Sequence, residues 1–463
     1  MSNTKEQSHN KGGSRLGTEP VGKLLVNFAI PSIIAMVVTA LYNIVDQVFI
    51  GQSIGELGNA ATNVAFPLTT VCTALSLLFG IGGASAYNLA RGRGEGERSI
   101  RYIGNGLSLL FGSGVILCIV TQLFLEPLLI FFGSPNDVLP LAIDYVRIVS
   151  FGFPFLILTA GGAHLVRADE SPRYSMFCNM AGAVINLILD PLFIFGFKWG
   201  MKGAALATIA GQIVSAGMIV YYFAFRYKAG KMTLGYLLPK WEASSQLSSL
   251  GAASFLNQCA MMVVQITLNN SLTHYGAQSI YGESIPLACA GIASKVSFIF
   301  FGVCIGISHG MQPIISFNYG AKNYSRVKRA LKLSIICSSA ISVFAFIIFQ
   351  TFPGTIISLF GEGSALYYEF AIRYFRIYMF CVFINNIQPM SSSFFTSIGK
   401  PTKGIFTSLT RQFIYLLPLI LILPAIWGID GMLFAAPIAD AMAAIGSTFS
   451  EILSHYYLNT ELI

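Results

Sequence analysis

Long apolar runs separated by short polar segments dominate the chain. Each run has about 20 or more residues with few charges, the length that a helix needs to cross the hydrocarbon core of a bilayer. The runs are continuously apolar, unlike the short alternating strands of an outer-membrane barrel. We therefore predict an all-α polytopic membrane protein with twelve transmembrane helices, at about 24–50, 60–88, 102–125, 143–165, 174–196, 202–225, 250–273, 286–317, 330–352, 370–396, 404–425 and 430–455.

The basic residues fall almost entirely in alternate loops of this scheme. Of the 28 Lys and Arg residues, 21 lie in segments on the side of the N-terminus, and only Lys198 and Lys202 lie in loops on the other side. Because cytoplasmic loops are enriched in Lys and Arg, both termini are predicted to be cytoplasmic, in a multi-pass protein of the plasma (inner) membrane.

Composition agrees with this class of protein. Hydrophobic residues make up 54% of the 463-residue chain and charged residues 10%, too few to cover a soluble globule, which carries roughly 25%. The net charge of +8 therefore reflects membrane topology and does not indicate a nucleic-acid partner.

The second half of the chain repeats the first. Residues 82–101 match residues 310–329 without a gap, and the W-G-x-x-G segment at 199–203 recurs at 427–431 with the same offset of 228. Two parallel six-helix repeats around a central cleft are predicted, a geometry that permits alternating access. The predicted parts are a polar cytoplasmic N-terminus (1–23), an N-lobe (24–225), a cytoplasmic linker (226–249), a C-lobe (250–455) and a short tail (456–463).

Ionisable residues inside spans are costly and are therefore candidates for function. Asp46 and Asp190 lie near the ends of their spans, at similar depths given a rise of about 1.5 Å per residue. Asn186 precedes Asp190 by one helical turn, and Thr208 reaches a comparable level in the sixth span. This set can form an oxygen-lined Na+ site, or a carboxylate pair that shares and exchanges a proton, since burial and a like-charged neighbour favour protonation.

Two charged residues within the C-lobe spans, Asp440 and Lys295, are further candidates. Asp440 is either a buried structural carboxylate or part of a second site, and no second carboxylate can be placed beside it. Lys295 can repel or exchange with a cationic substrate, pair with a carboxylate, or extend its ammonium to the outer interface. The histidines His164, His274 and His309 are predicted to be isolated, with structural or interfacial roles.

No motif of ATP hydrolysis or hydrolytic catalysis is present. The sequence contains no Walker A, HExxH or GxSxG pattern, so we predict that the protein is not an enzyme and uses an ion gradient of H+ or Na+, without a cofactor. The 57 Phe and Tyr residues and 14 Met residues suit lipophilic organic cations. The expected partners are such small molecules and the lipid bilayer, bound by a monomer.

Several short segments resemble one transporter family. A-I-P at 29–31, Y-N-I-V-D at 42–46, N-L-I-L-D-P at 186–191 and G-A-A-L-A-T at 203–208 are similar to segments of the multidrug and toxic compound extrusion (MATE) family, in its bacterial DinF-like and MepA-like branch, over residues 20–455. The resemblance implies export of organic cations or lipophilic drugs by H+ or Na+ antiport.

The resemblance also implies roles for particular residues. Asp46, Asn186, Asp190 and Thr208 match the N-lobe cation or proton site, and Pro31 matches the proline about which the first span bends. In the C-lobe, amides replace the acidic residues of the NorM-like branch, so coupling is expected to depend on the N-lobe carboxylates. Asn257 and Gln258 are candidates for substrate contact or coupling. The alternative function is a flippase for lipid-linked oligosaccharide, which would need a more basic cleft.

Overall fold

Every element of the described chain is a helix. The computed structural model describes residues 14–282, 284–358 and 364–460, with side chains for all of these except 56, 284 and 447–460. The helices are α1 (Arg15–Thr18), α2 (Val21–Ile54), α3 (Glu56–Arg93), α4 (Gly96–Leu123), α5 (Leu125–Phe131), α6 (Leu139–Val149), α7 (Phe153–Ala168), α8 (Pro172–Pro191), α9 (Gly200–Tyr221), α10 (Leu234–Leu237), α11 (Trp241–Ala277), α12 (Ser284–Gly320), α13 (Tyr324–Thr351), α14 (Pro353–Ser358), α15 (Ala365–Tyr378), α16 (Ile387–Ser397), α17 (Pro401–Leu409), α18 (Leu417–Trp427) and α19 (Ile429–Thr460).

Eleven helical stretches among the described residues are long and apolar enough to cross a membrane. The remaining predicted span, 370–396, is divided into α15, a 3-10 turn at Phe380–Ile384, and α16, so no single long helix forms there. A shorter 3-10 turn, Ser150–Gly152, separates α6 from α7. Large apolar side chains are exposed along many of these helices, as contact with lipid requires. The all-α, multi-pass membrane architecture is confirmed.

Some element ends differ from the sequence-based expectation. The helix α11 begins at Trp241, inside the predicted linker, and α10 also lies in that linker. The predicted polar N-terminus contains α1 and the start of α2. In the predicted tail, α19 continues to Thr460, and residues 461–463 lie outside the described residues.

The linker is attached to the N-terminal half by backbone hydrogen bonds. The Lys228 N–H donates to the buried Asp169 carboxylate at 2.9 Å, and the Lys240 N–H donates to the Asn105 side-chain oxygen at 2.6 Å. Burial raises the pKa of Asp169, which lies just beyond the end of α7, and the bond from Lys228 opposes that rise. The linker is therefore held against the first half of the molecule and is not free.

The buried apolar residues form three clusters. One belongs mainly to the helices before the linker and one to the helices after it. A third joins the two halves, with Leu24 and Phe28 of α2 in the same cluster as Met311 and Ile314 of α12 and Phe394 of α16. We call the end of the bundle near this third cluster, which carries α1, the linker and the Lys/Arg-rich loops, the basic face.

The glycines of α12 show that the two halves diverge away from the basic face. A Cβ atom on Gly310 would lie 2.6 Å from the backbone of α2, and one on Gly306 would lie 2.7 Å from Ile33. A Cβ atom on Gly302 would lie 3.6 Å from Met36, an ordinary contact, and one on Gly291 would have no neighbour within 4 Å. The cleft between the halves is therefore closed at the basic face and open at the opposite face.

The second contact between the halves, α3 with α11, repeats this close packing near the basic face. A Cβ atom on Gly82 would overlap the Leu247 carbonyl, and one on Gly251 would overlap the Leu78 carbonyl. Only glycine permits this approach of the two backbones. Glycines of both halves therefore seal the basic side of the cleft.

Candidate cation site and cleft

The helices α8 and α9 cross at two glycines. A Cβ atom on Gly211 would lie 2.5 Å from the Gly182 carbonyl oxygen, so the helices meet backbone to backbone. The Cβ atom of Asn186, one turn beyond Gly182, would lie 3.4 Å from that added Cβ atom on Gly211. Small residues at the crossing thus bring the polar side chains of α8 against α9.

The structure brings together the four N-lobe residues singled out from the sequence. The Asn186 amide donates to Asp190 Oδ1 at 3.2 Å and lies 3.4 Å from Thr208 Oγ1. The first long helix, α2, carries Asp46, whose carboxyl group is within hydrogen-bonding contact of Asp190. A hydrogen bond between two carboxyl groups requires a proton on one of them. The arrangement can therefore hold one proton between two acids.

Two oxygens of this cluster lack a donor. Within the described part of the chain, neither Asp46 Oδ1 nor Asp190 Oδ2, both buried, accepts a hydrogen bond. Buried carboxylate oxygens without donors are normally satisfied by a proton or a cation. No described group of three His, Cys, Asp or Glu side chains could hold a metal ion, and the donor set of two carboxylates, an amide and a hydroxyl suits a monovalent cation.

Regular α-helix ends directly after Asp190. Pro191 closes α8, and a π turn follows at Leu192–Gly196. Proline has no N–H to donate, and π turns often occur at functional sites. This local break places Asp190 in the last turn of its helix.

Two tyrosines at this cluster were not singled out from the sequence. Tyr42 and Tyr145 both lie close enough to Asp46 and Asp190 to interact with them electrostatically. Tyr42 precedes Asp46 by four residues, so the helical period could have identified it. Tyr145 comes from α6, and nothing in the sequence indicated that this helix reaches the site.

Asp440 has a different environment, which the sequence did not indicate. Its Oδ1 atom lies 2.6 Å from Arg411 Nε, and its Oδ2 atom accepts a hydrogen bond from Asn385 at 3.2 Å. The pair is buried, with Asp440 5% exposed and the Arg411 side chain 17% exposed. Arg411 lies in a π turn, Thr410–Leu416, between α17 and α18. Its charge neutralises Asp440 within the protein.

The family of the chain follows from comparison with known proteins. The MatE family model matches residues 31–192 and 253–422, which include Asp46, Asp190 and Arg411. The chain belongs to the MATE family. MATE proteins are multidrug efflux transporters, and transport, not enzymatic catalysis, is the activity of the class.

A curated relative and two solved structures extend this finding. The multidrug export protein MepA of Staphylococcus aureus strain N315 is 26% identical over 92% of this chain and 93% of its own length. An outward-facing MATE transporter of the MOP superfamily superposes with a TM-score of 0.89 at 23% identity, covering 96% of this chain and 98% of that one. A transporter from Pyrococcus furiosus, described as having a binding pocket of reverse polarity, superposes with a TM-score of 0.89 at 22% identity. This match covers 96% of this chain and 98% of that one. The solved structures support the fold.

Pro31 lies where this MATE chain closes its cleft. It is buried within α2, which continues through it from Val21 to Ile54 as one helix. Proline removes one backbone hydrogen bond of the helix interior, and Ser32 Oγ donates to the Phe28 carbonyl at 2.8 Å nearby. Bending of α2 about Pro31 stays a prediction.

The remaining predicted cleft residues have few contacts. Lys295 is exposed within the span of α12 and forms no hydrogen bond or ion pair with any described residue. On α11, the Asn257 amide contacts Met261 Sδ at 3.7 Å, and its buried Oδ1 lacks a partner among the described groups. Gln258, the next residue, is half-buried.

The prediction that the histidines are isolated was wrong for two of them. The rings of His164 on α7 and His309 on α12 pack edge to face, with centroids 4.6 Å apart. The buried Arg167 guanidinium lies 3.2 Å from the His164 ring nitrogen. Sequence separation hid this contact, because it forms only where the two halves meet near the basic face.

Proposed function

We propose that this MATE protein exports lipophilic organic cations in exchange for H+ or Na+, with Asp46 and Asp190 as the coupling groups. The basic face lies in the cytoplasm and the cleft opens to the outside, in the plasma membrane. The observation that carries the proposal is the pair of adjacent carboxyl groups, each with a buried oxygen to which no described residue donates a hydrogen bond. Asn186 and Thr208 complete the set of polar groups around it.

The coupling follows from charge. Two ionised carboxylates side by side repel each other in a poorly hydrated site, so the pair binds one H+ or Na+ from the open side. That cation removes negative charge from the N-terminal half and so weakens the attraction for a bound organic cation. Ion binding therefore favours drug release to the outside, and ion release at the other face restores drug binding.

Support for the substrate class comes from the relatives and the composition. The relative MepA is a multidrug export protein. The chain has 37 Phe, 20 Tyr and 14 Met residues, which offer stacking, cation-π contact and adaptable packing to flat, lipophilic cations.

The proposal is tested with purified protein in proteoliposomes that are loaded with a fluorescent cationic dye. A proton gradient and a sodium gradient are imposed separately, and dye movement is recorded. We expect one of the two gradients to drive dye against its concentration difference, and Asp190→Asn to abolish that movement while the protein still inserts.

The matched control is Asp144→Asn. Asp144 is also an aspartate of the N-terminal half, but it is 43% exposed, and its carboxylate pairs with Lys202 at 3.3 Å and not with a second acid. This variant should transport as the wild type does. Undiminished gradient-driven transport by Asp190→Asn would contradict the proposed coupling.

A further inference from the structure

One face of α12 is packed against α2 at one end of the helix and exposed at the other. Near the basic face it packs against α2 through Gly306 and Gly302. Lys295 lies on the same face, because it precedes Gly302 by seven residues, which is two helical turns. Where the two halves have diverged, this face is exposed, while Ala293 and Val296 on other sides of the helix are buried. The Lys295 side chain therefore projects from the wall of the open cleft.

The surrounding cleft walls are mostly uncharged. On α2, the stripe that faces α12 continues from Ile33 and Met36 to Asn43 and Gln47, both exposed amides. On α11, exposed Gln265 donates to the half-buried Asn269 at 2.9 Å. These amides can hydrogen bond a ligand but do not neutralise an ammonium group.

The C-lobe carboxylate is not available to Lys295. Asp440 is held by Arg411 at 2.6 Å and by Asn385 at 3.2 Å. No described carboxylate lies within ion-pair distance of Lys295. The cleft therefore carries an unpaired cation on its C-terminal wall, whereas the carboxyl pair, Asp46 and Asp190, belongs to the N-terminal half.

We infer that Lys295 binds an anionic carboxylate of the transported molecule, so that the preferred substrates are amphiphilic zwitterions. This inference rests on the proposed function and specifies its substrate class. An ammonium donates short, charge-assisted hydrogen bonds to a carboxylate, and the neutral amides around it leave that charge unopposed. A cationic group on the same molecule is attracted by the negative charge of Asp46 and Asp190 in the N-terminal half. Charges of opposite sign in the two halves thus favour a substrate with both charges.

The test uses two dyes that differ by one ester group. Rhodamine 110 carries a free carboxylate, and rhodamine 123 is its methyl ester and a plain cation. Their dissociation constants are measured by fluorescence anisotropy with the full-length protein in lipid nanodiscs. The variants are Lys295→Met, which keeps length without charge, Lys295→Arg, which keeps charge, and the control Lys198→Met, an exposed lysine in the loop after α8.

We expect Lys295→Met to weaken rhodamine 110 binding about tenfold, the loss of one charge-assisted contact, and to leave rhodamine 123 within about twofold. Lys295→Arg and Lys198→Met should keep the wild-type constants. The inference is wrong if rhodamine 110 does not bind the wild type, if its constant is unchanged in Lys295→Met, or if both dyes weaken equally.

Transport separates this result from the proposed function. If the wild type moves rhodamine 123 under an ion gradient while Lys295→Met leaves rhodamine 110 binding unchanged, export stands and the role of Lys295 is refuted. If the wild type moves neither dye, the proposed export fails, and the binding measurements still decide whether Lys295 recognises a carboxylate.

Discussion

The two halves of this MATE protein each bury aspartate within the membrane, but they neutralise it differently. In the N-terminal half, Asp190 lies beside a second acid, Asp46, and accepts a hydrogen bond from the Asn186 amide. In the C-terminal half, Asp440 is paired with Arg411 at 2.6 Å. The first site needs an ion or proton from outside the protein. The second site is neutralised by a side chain of the protein itself, the Arg411 guanidinium. We therefore expect the partner of a buried acid, and not its depth, to decide whether that acid can couple transport.

Among substitutions at these two sites, the largest expected effect is on the stability of the protein, after removal of Arg411. Arg411→Met would leave the Asp440 carboxylate buried without its cation, which costs about 3–5 kcal/mol in comparable pairs. Unfolding of the purified variant, titrated with denaturing detergent, should reveal a loss of this size. A loss below about 1 kcal/mol would show that Asp440 does not depend on Arg411.

Removal of one N-terminal acid should affect coupling instead. In the wild type, saturating H+ or Na+ is expected to weaken dye binding about tenfold, within the usual range of coupling between sites. In Asp46→Asn this shift should fall below about twofold, because a single acid has no like-charged neighbour to neutralise. Dye titrations with and without the ion measure the shift, and an unchanged shift would exclude Asp46 from coupling.

The double variant Arg411→Met/Asp440→Asn should be more stable than Arg411→Met alone. Once both charges are absent, no buried ion remains unpaired, and the cost relative to the wild type should fall to about 1 kcal/mol, with the Asn385 contact disturbed. The same detergent titration of these two variants and of Asp440→Asn completes the double-mutant cycle and gives the coupling energy of the pair. Additive losses would show that the two charges do not interact.

The smallest effect is expected at Thr208. Its hydroxyl lies 3.4 Å from the Asn186 amide, a long contact. Thr208→Val keeps the side-chain shape and should cost about 0.5–1 kcal/mol of ion binding. The ion concentration that half-saturates coupling should then rise about two- to fivefold. Loss of coupling as complete as in Asp46→Asn would instead make Thr208 an essential ligand.

Much of the N-terminal site could be predicted because its signals are local. Asp46, Asn186 and Asp190 are rare polar residues in apolar runs, and the helical rise places them at one depth. Tyr145 could not be assigned, since α6 approaches the site only through packing. The discontinuous α15 and α16 were also unexpected, because the run 370–396 is apolar enough for one helix. Its 3-10 turn packs against α13 and α19, contacts that the sequence does not show.

Apolar length and the distribution of Lys and Arg determined the class, the number of spans and the predicted orientation. These properties depend on the transfer of each segment into lipid, so they can be calculated along the chain. The tertiary structure alone paired Asp440 with Arg411, brought His164 against His309, and left Lys295 exposed where the two halves diverge. Contacts between distant helices depend on their rotation and crossing points, which glycine backbones such as Gly182 and Gly211 set in three dimensions.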